Sequence, residues 1–197
     1  MKIIFLPLAL LFCSQAGFSQ ESIWTKQRKI AEVIDFEKKL DPDAKFLSQN
    51  VWLSKEYYPL ADHYKTVNPI IVQRKPVGVL PVYAEYFYTP KDSLLRLVSY
   101  DWEKGRYADL KDMLENRKEQ AGKSEIYFKE YERIRQQLIK SFGKPDQAEE
   151  KPKTVNDEGQ KYLNQNTLWE NDELHADLNL IFSAGTQRIR LTLYWKK

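Results

Sequence analysis

The sequence predicts an α+β fold: a largely antiparallel sheet, built from an N-terminal hairpin and a C-terminal three-strand meander, with amphipathic helices packed on one face. Three observations carry this expectation. The C-terminal residues alternate apolar and polar with the period of a strand, the stretch around residues 79–102 reads as a hairpin, and two other segments place apolar residues three or four apart. Sheets and helices that are each apolar on one side bury those sides against each other.

The first residues stand apart from that pattern. Lys2 is followed by the uncharged run Ile3–Phe12, ten residues long, and then by the small polar stretch Ser14-Gln15-Ala16-Gly17-Phe18-Ser19. The run has the length of a secretion signal and is far short of the roughly 20 residues that a membrane-spanning helix needs. Residues 1–19 are therefore read as a cleavable signal peptide, with Gln20 as the first residue of a single globular domain spanning residues 20–197. Cleavage after Ala16 is the alternative position. Cys13 raises a minority reading, an acylated lipoprotein, but Phe12 stands where a lipoprotein signal requires a small residue. The chain has one cysteine, so cleavage at Ser19 removes disulfide, thiolate and cysteine–metal chemistry from the mature domain. The expected location is the periplasm or the exterior.

In the mature chain, Ile30, Val33, Ile34 and Leu40 recur at helical spacing, which predicts an amphipathic helix over 25–40. Asp41-Pro42-Asp43 ends it, because a proline disfavours helical geometry in the preceding residue. The two aspartates lack the further oxygen ligands and the turning glycine of a calcium loop. Residues 44–78 read as irregular, and their aromatics (Phe46, Trp52, Tyr57, Tyr58, Tyr64) predict a segment packed over a core rather than a free linker. His63 has no second ligand at metal spacing.

Val79–Tyr88 and Leu94–Trp102 read as a hairpin around Thr89-Pro90-Lys91-Asp92-Ser93. With Tyr88 opposite Leu94, one face holds Val82, Ala84, Tyr86, Val98, Tyr100 and Trp102, with Arg96 as its only charge. The other face carries Tyr83, Phe87, Leu95 and Leu97 beside Glu85, Ser99 and Asp101. A hairpin apolar on both sides is either central in its sheet or covered by the loop before it. Residues 107–142 form a second helical region, one bent helix or two helices meeting near Gly122. Gly143 and Pro145 stop it. Residues 146–166 read as a charged connection with a turn at Asn156-Asp157-Glu158-Gly159.

Leu174, Ala176, Leu178, Leu180 and Phe182 then alternate with polar positions, and Ile189, Leu191, Leu193 and Trp195 do so after Ser183-Ala184-Gly185-Thr186. Keeping both apolar sets on one face requires Phe182 opposite Gln187, Leu180 opposite Ile189, Leu178 opposite Leu191 and Leu174 opposite Trp195. Thr167–Glu170 supplies the third strand of the meander. The helix, Gly143-Lys144-Pro145, the Trp169 strand and the meander together resemble, in outline, small exported helix-plus-sheet modules of bacterial outer-membrane assembly. That motif is short and common, and no function is carried over from it.

The same register places His175 opposite Tyr194, Asp177 opposite Thr192, Asn179 opposite Arg190 and Ile181 opposite Arg188. Such a face is ordinarily the wet side of an antiparallel sheet. Read as a site, His175, Asp177, Asn179, Arg188, Arg190 and Tyr194 form a binding surface on which the two arginines grip an anionic or carboxylate-bearing partner. The nucleophile elbow, the paired-histidine zinc motif, the phosphate loop and the dinucleotide fingerprint are all missing from the sequence. Glu85 with Asp101 is the carboxylate pair that an acid–base enzyme would need.

The net charge is +3 before Lys2 is removed, a small and mixed excess unlike the concentrated basic face of a nucleic-acid binder. The expectation is an exported, non-catalytic binding or envelope-associated domain with no catalytic residue, cofactor or metal. Its partner would be a protein or an anionic envelope ligand. The alternatives are a small hydrolase of an envelope polymer or an inhibitor of an exported enzyme.

Overall fold

The C-terminal alternation folds in the register it predicts. The computed structural model describes residues 23–76, 78–104, 110–157 and 159–197. In it, β8 (Leu174–Phe182) and β9 (Gln187–Trp195) pair antiparallel with Phe182 opposite Gln187 and Leu174 opposite Trp195. The expected signal segment, Cys13, Gly105 and Tyr107 lie outside the described residues.

The remaining strands are β1 (Phe46–Ser48), β2 (Ile70–Arg74), β3 (Val82–Tyr88), β4 (Leu95–Trp102), β5 (Gln147–Ala148), β6 (Lys153–Asp157) and β7 (Gln160–Glu170). Among the described residues they form one nine-stranded sheet in the order β1-β2-β3-β4-β9-β8-β7-β5, with β6 also paired to β7. Every pairing is antiparallel. The fold is therefore α+β.

The helices are α1 (Ile30–Leu40), α2 (Leu110–Gln120) and α3 (Ser124–Phe142). α3 lays Tyr127, Tyr131, Ile134 and Leu138 on the sheet, all fully buried, against Ala176, Leu178, Leu180, Ile189, Leu191 and Leu193. The Tyr131 hydroxyl donates to the Leu178 carbonyl at 3.2 Å and shares a hydrogen bond with Thr167 Oγ1 at 2.8 Å. This satisfies a hydroxyl that burial would otherwise penalise. Gly143 closes α3 with φ +82, its N–H donating to the Ile139 carbonyl at 2.8 Å, while Trp169 Nε1 donates to the Gly143 carbonyl at 2.9 Å. A glycine takes that left-handed conformation without steric cost.

Several boundaries differ from the sequence expectation. α1 starts at Ile30 rather than at residue 25, because the preceding residues are held extended. Lys29 bridges to Leu94, Ile30 N–H donates to Ser93 O at 2.8 Å, and Leu95 N–H donates to Arg28 O at 2.9 Å. The helical region of 107–142 is two helices, broken at Ala121-Gly122-Lys123 where Gly122 has φ +79. Residues 44–78 contain β1 and β2. The stretch 146–166 is not a connection but β5, β6 and the first half of β7. The side chains of β5 and β6 are largely polar and exposed, and those of Tyr162–Asn166 in β7 are half-buried or buried but mixed in polarity, so the strands carry no apolar alternation.

The hairpin register also differs. Tyr88 pairs with Leu95, not Leu94, and Phe87 with Leu97, so a bulge leaves Arg96 unopposed. The bulge turns Leu95 into the helix-side core and moves Arg96 to the opposite face. There the Arg96 guanidinium lies 3.9 Å from the Tyr64 ring centroid, hydrogen-bonds Thr89 Oγ1 at 3.2 Å and pairs with Asp92 at 2.6 Å. A one-residue insertion thus removes the single charge that the sequence placed in the core.

Both faces of the hairpin are covered, as its composition requires. On the side away from the helices, residues 51–64 lie over the sheet. Tyr58, Phe87, Leu97 and Tyr194 form a second buried cluster there with Val51, Leu53, Tyr57, Leu60, Ala61 and Tyr64 packed around them. Tyr58 meets Tyr194 edge to face at 5.6 Å. Trp52 is the exception among the loop aromatics, with 84 % of its surface exposed.

Candidate functional site

The loop that covers the hairpin stops short of β8, and a cleft opens between its edge and the outer face of β8 and β9. The cleft measures about 410 Å³, and all six residues of the sequence-predicted site line it: His175, Asp177, Asn179, Arg188, Arg190 and Tyr194. Glu56, Tyr57 and Pro59 of the loop form the opposing wall. Alternation on two paired strands brings the six together, since every second residue shares a face. The loop wall carries no such signal in the sequence.

Tyr57 is pinned to the sheet by its hydroxyl, which donates to Ser99 Oγ at 2.9 Å and accepts from Thr192 Oγ1 at 3.3 Å. Its ring lies 5.4 Å from the Arg190 guanidinium. At the far end, His175 stacks on Tyr194, with centroids 4.5 Å apart and planes 16° from parallel. Its Nδ1 hydrogen-bonds Glu170, which also pairs with Lys196. Burial would raise the Glu170 carboxyl, but Lys196 and His175 outweigh it and hold it below its ordinary value. The imidazole is therefore oriented by a flat ring inside the predicted set, Tyr194, and by a charged neighbour outside it, Glu170.

The two arginines do not share one role. Arg190 is committed inside the protein: its Nε and Nη2 each donate to Asp101 at 2.6 Å, a bidentate bridge to a carboxylate that is 1 % exposed. Burial would favour loss of the Arg190 proton, but Asp101 reverses that and raises the guanidinium above its ordinary value, so it stays charged. Arg190 thereby ties β4 to β9 while still lining the cleft, its side chain about a quarter exposed. Arg188 keeps a longer contact to Asp101, 3.8 Å, and its side chain is about a quarter exposed. Of the two arginines it has the looser tie to Asp101.

Asp177 sits beside these groups and accepts a hydrogen bond from Asn166 Nδ2 at 2.6 Å. Burial raises its carboxyl above the ordinary aspartate value, and the Asn166 hydrogen bond and His175 offset only part of that. A carboxyl raised on folding stabilises the protein below its unfolded value, and that contribution is lost as pH climbs through the folded value. Asp177→Asn keeps an oxygen for Asn166 and removes the buried charge. The variant is expected to have a higher denaturant midpoint than the parent at neutral pH, with the difference vanishing in acid below the ordinary carboxylate range. Equal midpoints at neutral pH would show that the charge is not penalised.

A second cleft of about 570 Å³ lies on the other side of Tyr57 and Arg190, lined by Trp52, Leu53, Glu85, Phe87 and Glu103 among others. The carboxylates that an acid–base reading would combine stay on one face of neighbouring strands, Glu85 opposite Ser99 and Asp101 opposite Tyr83. Glu85 lines this cleft, whereas Asp101 is buried against Arg190. Among the described residues no group of three or more His, Cys, Asp or Glu could hold a metal ion, and no helix is long and apolar enough to cross a membrane. No protein-family model, curated protein or solved structure matches the chain.

Proposed function

We propose that this chain is an exported, non-catalytic binding domain, associated with the cell envelope, that holds a protein or anionic envelope ligand in the cleft between Glu56–Pro59 and the outer face of β8 and β9. One observation carries the reading: six polar and aromatic side chains from two strands line a single walled cleft, with Arg188 partly exposed in it. Small-ligand sites have volumes of roughly 300–1,000 Å³ and a few convergent polar groups, and the cleft meets both criteria. Arg188, Asn179 and His175 offer donors to an acidic group, while Tyr57 and Tyr194 supply ring surfaces. The groups that could do chemistry are otherwise engaged: Asp101 by Arg190, His175 Nδ1 by Glu170, and the Thr192 hydroxyl by Tyr57. The export element of the proposal rests on the pattern of residues 1–19.

The test uses the mature chain, beginning at Gln20, as an immobilised bait for envelope fractions, compared with Arg188→Ala. The variant is expected to lose most of the captured material while unfolding at nearly the parent denaturant concentration, because the Arg188 contact to Asp101 is long, at 3.8 Å, and Arg190 keeps the close bridge. Capture unchanged by Arg188→Ala would exclude this cleft as the binding site.

A further inference from the structure

We propose a second site, on the opposite face of the sheet: the cleft between α2 and the β6–β7–β8 end of the sheet binds a fatty acid, its acyl chain on the apolar floor and its carboxylate between Lys118 and Lys161. The cleft measures about 570 Å³ and shares no lining residue with the cleft around Arg188. Its floor is Leu163 and Phe182, a directly opposed cross-strand pair on the helix-side face, both only partly buried. α3 covers that face over Leu178 and Leu180 and reaches the edge of Phe182 through Tyr127, ring centroids 5.3 Å apart, and α2 forms the wall beyond it.

α2 does not close it. Leu114 is apolar, yet 46 % of its surface is exposed, whereas the apolar residues Tyr127, Tyr131, Ile134 and Leu138 of α3 are fully buried. An apolar side chain left half open beside an apolar floor leaves surface that an acyl chain would remove from water.

The charges around the cleft select the head group. Lys118 on the α2 wall and Lys161 on the sheet wall are exposed, and neither forms an ion pair with another described residue. Two of the three carboxylates of α2 are engaged elsewhere, Glu115 by Lys111 and Glu119 by Lys104 and Lys123. An apolar trough with one cation on each wall matches a ligand with a long apolar body and a single anionic end. A neutral amphiphile would leave both lysines without a counter-charge, and a polar peptide would leave the floor uncovered.

The experiment follows the fluorescence of cis-parinaric acid added to the mature chain, and its displacement by palmitate or by the uncharged hexadecanol. Parinarate is expected to bind, palmitate to displace it about tenfold more effectively than hexadecanol, and the double variant Lys118→Glu/Lys161→Glu to abolish that preference. Leu114→Glu, at a half-exposed position the fold tolerates, is expected to abolish binding with an unchanged circular dichroism spectrum. Arg188→Ala is expected to bind parinarate like the parent, which separates this site from the proposed binding cleft. Three results would overturn the proposal: no parinarate binding, equal displacement by acid and alcohol, or binding that survives Leu114→Glu. Concentration-dependent dimerisation lost in Leu114→Glu would also overturn it, by showing that a second copy covers the cleft.

Discussion

Glu37→Ala is expected to cost about 3–5 kcal/mol of folding free energy, the range for breaking a buried ion pair by removing one partner. Glu37 projects from α1 into the layer between helix and sheet, where it is 1 % exposed. It receives Arg74 Nη2 at 2.5 Å and Arg74 Nε at 3.0 Å, with the Tyr86 hydroxyl donating to the same carboxylate. The Arg74 guanidinium, its side chain 9 % exposed, also lies 5.1 Å from the Tyr100 ring centroid and 5.6 Å from that of Phe36. Tyr100 in turn shares a 3.3 Å contact with the Tyr86 hydroxyl and accepts the Trp24 N–H at 2.7 Å.

Burial, with Tyr100 close by, raises the Tyr86 hydroxyl well above its ordinary value. Arg74 is raised too, because the tyrosines and Glu37 outweigh its own burial. The variant therefore keeps a buried guanidinium that has lost the Glu37 carboxylate. For a chain of this size each kcal/mol moves the melting temperature by about 2–4 °C, so a fall on the order of 10 °C is expected by calorimetry. The double variant Glu37→Met/Arg74→Met, which removes both charges and keeps apolar volume, is expected to recover most of the loss. A cost under about 1 kcal/mol for Glu37→Ala would show that the network is not needed for stability.

Asp101→Asn is expected to cost about 2–4 kcal/mol, again by orphaning guanidinium charge. The estimate is smaller because Arg188 and Arg190 are each about a quarter exposed, so water reaches them when the carboxylate is neutralised. The variant also has a functional consequence opposite in sign to that of Arg188→Ala. Without Asp101 the cleft gains positive charge, and capture of an anionic ligand is expected to strengthen at low salt, with the gain fading as salt rises. Denaturant titration measures the first effect, and binding at two ionic strengths the second. A variant as stable as the parent would remove the bridge from the account of how β4 and β9 are joined. Weaker capture would mean that the ligand is not anionic.

The meander was legible residue by residue because its pattern is local. Period two with one buried face admits a single register, and the observed pairs from Leu174–Trp195 to Phe182–Gln187 are the ones it demands. The stop at Gly143 and the break near Gly122 were legible for a similar reason, since positive φ favours glycine. β5, β6 and the first half of β7 were not. The side chains of β5 and β6 are mostly exposed and polar and carry no alternation, and these two are strands because the long β7 edge offers them hydrogen bonds, while the first half of β7 is held by its pairing with β6 and β8. Arg96 was misplaced for another local reason: a bulge shifts one residue without leaving a mark in composition.

The candidate site divides along the same line. By itself the sequence determined which side chains share the outer face of β8 and β9, since strand alternation needs no knowledge of the rest of the chain. Only the tertiary structure decided which of them are open to a ligand. Asp101 and Arg190 are 89 positions apart, and what brings them together is the packing of the hairpin beside β9. That pairing is selected by the two buried clusters on opposite faces of the sheet, which are collective properties of the folded chain. The wall formed by Glu56, Tyr57 and Pro59 arises in the same way, because the loop is anchored by Tyr58 against Phe87, Leu97 and Tyr194.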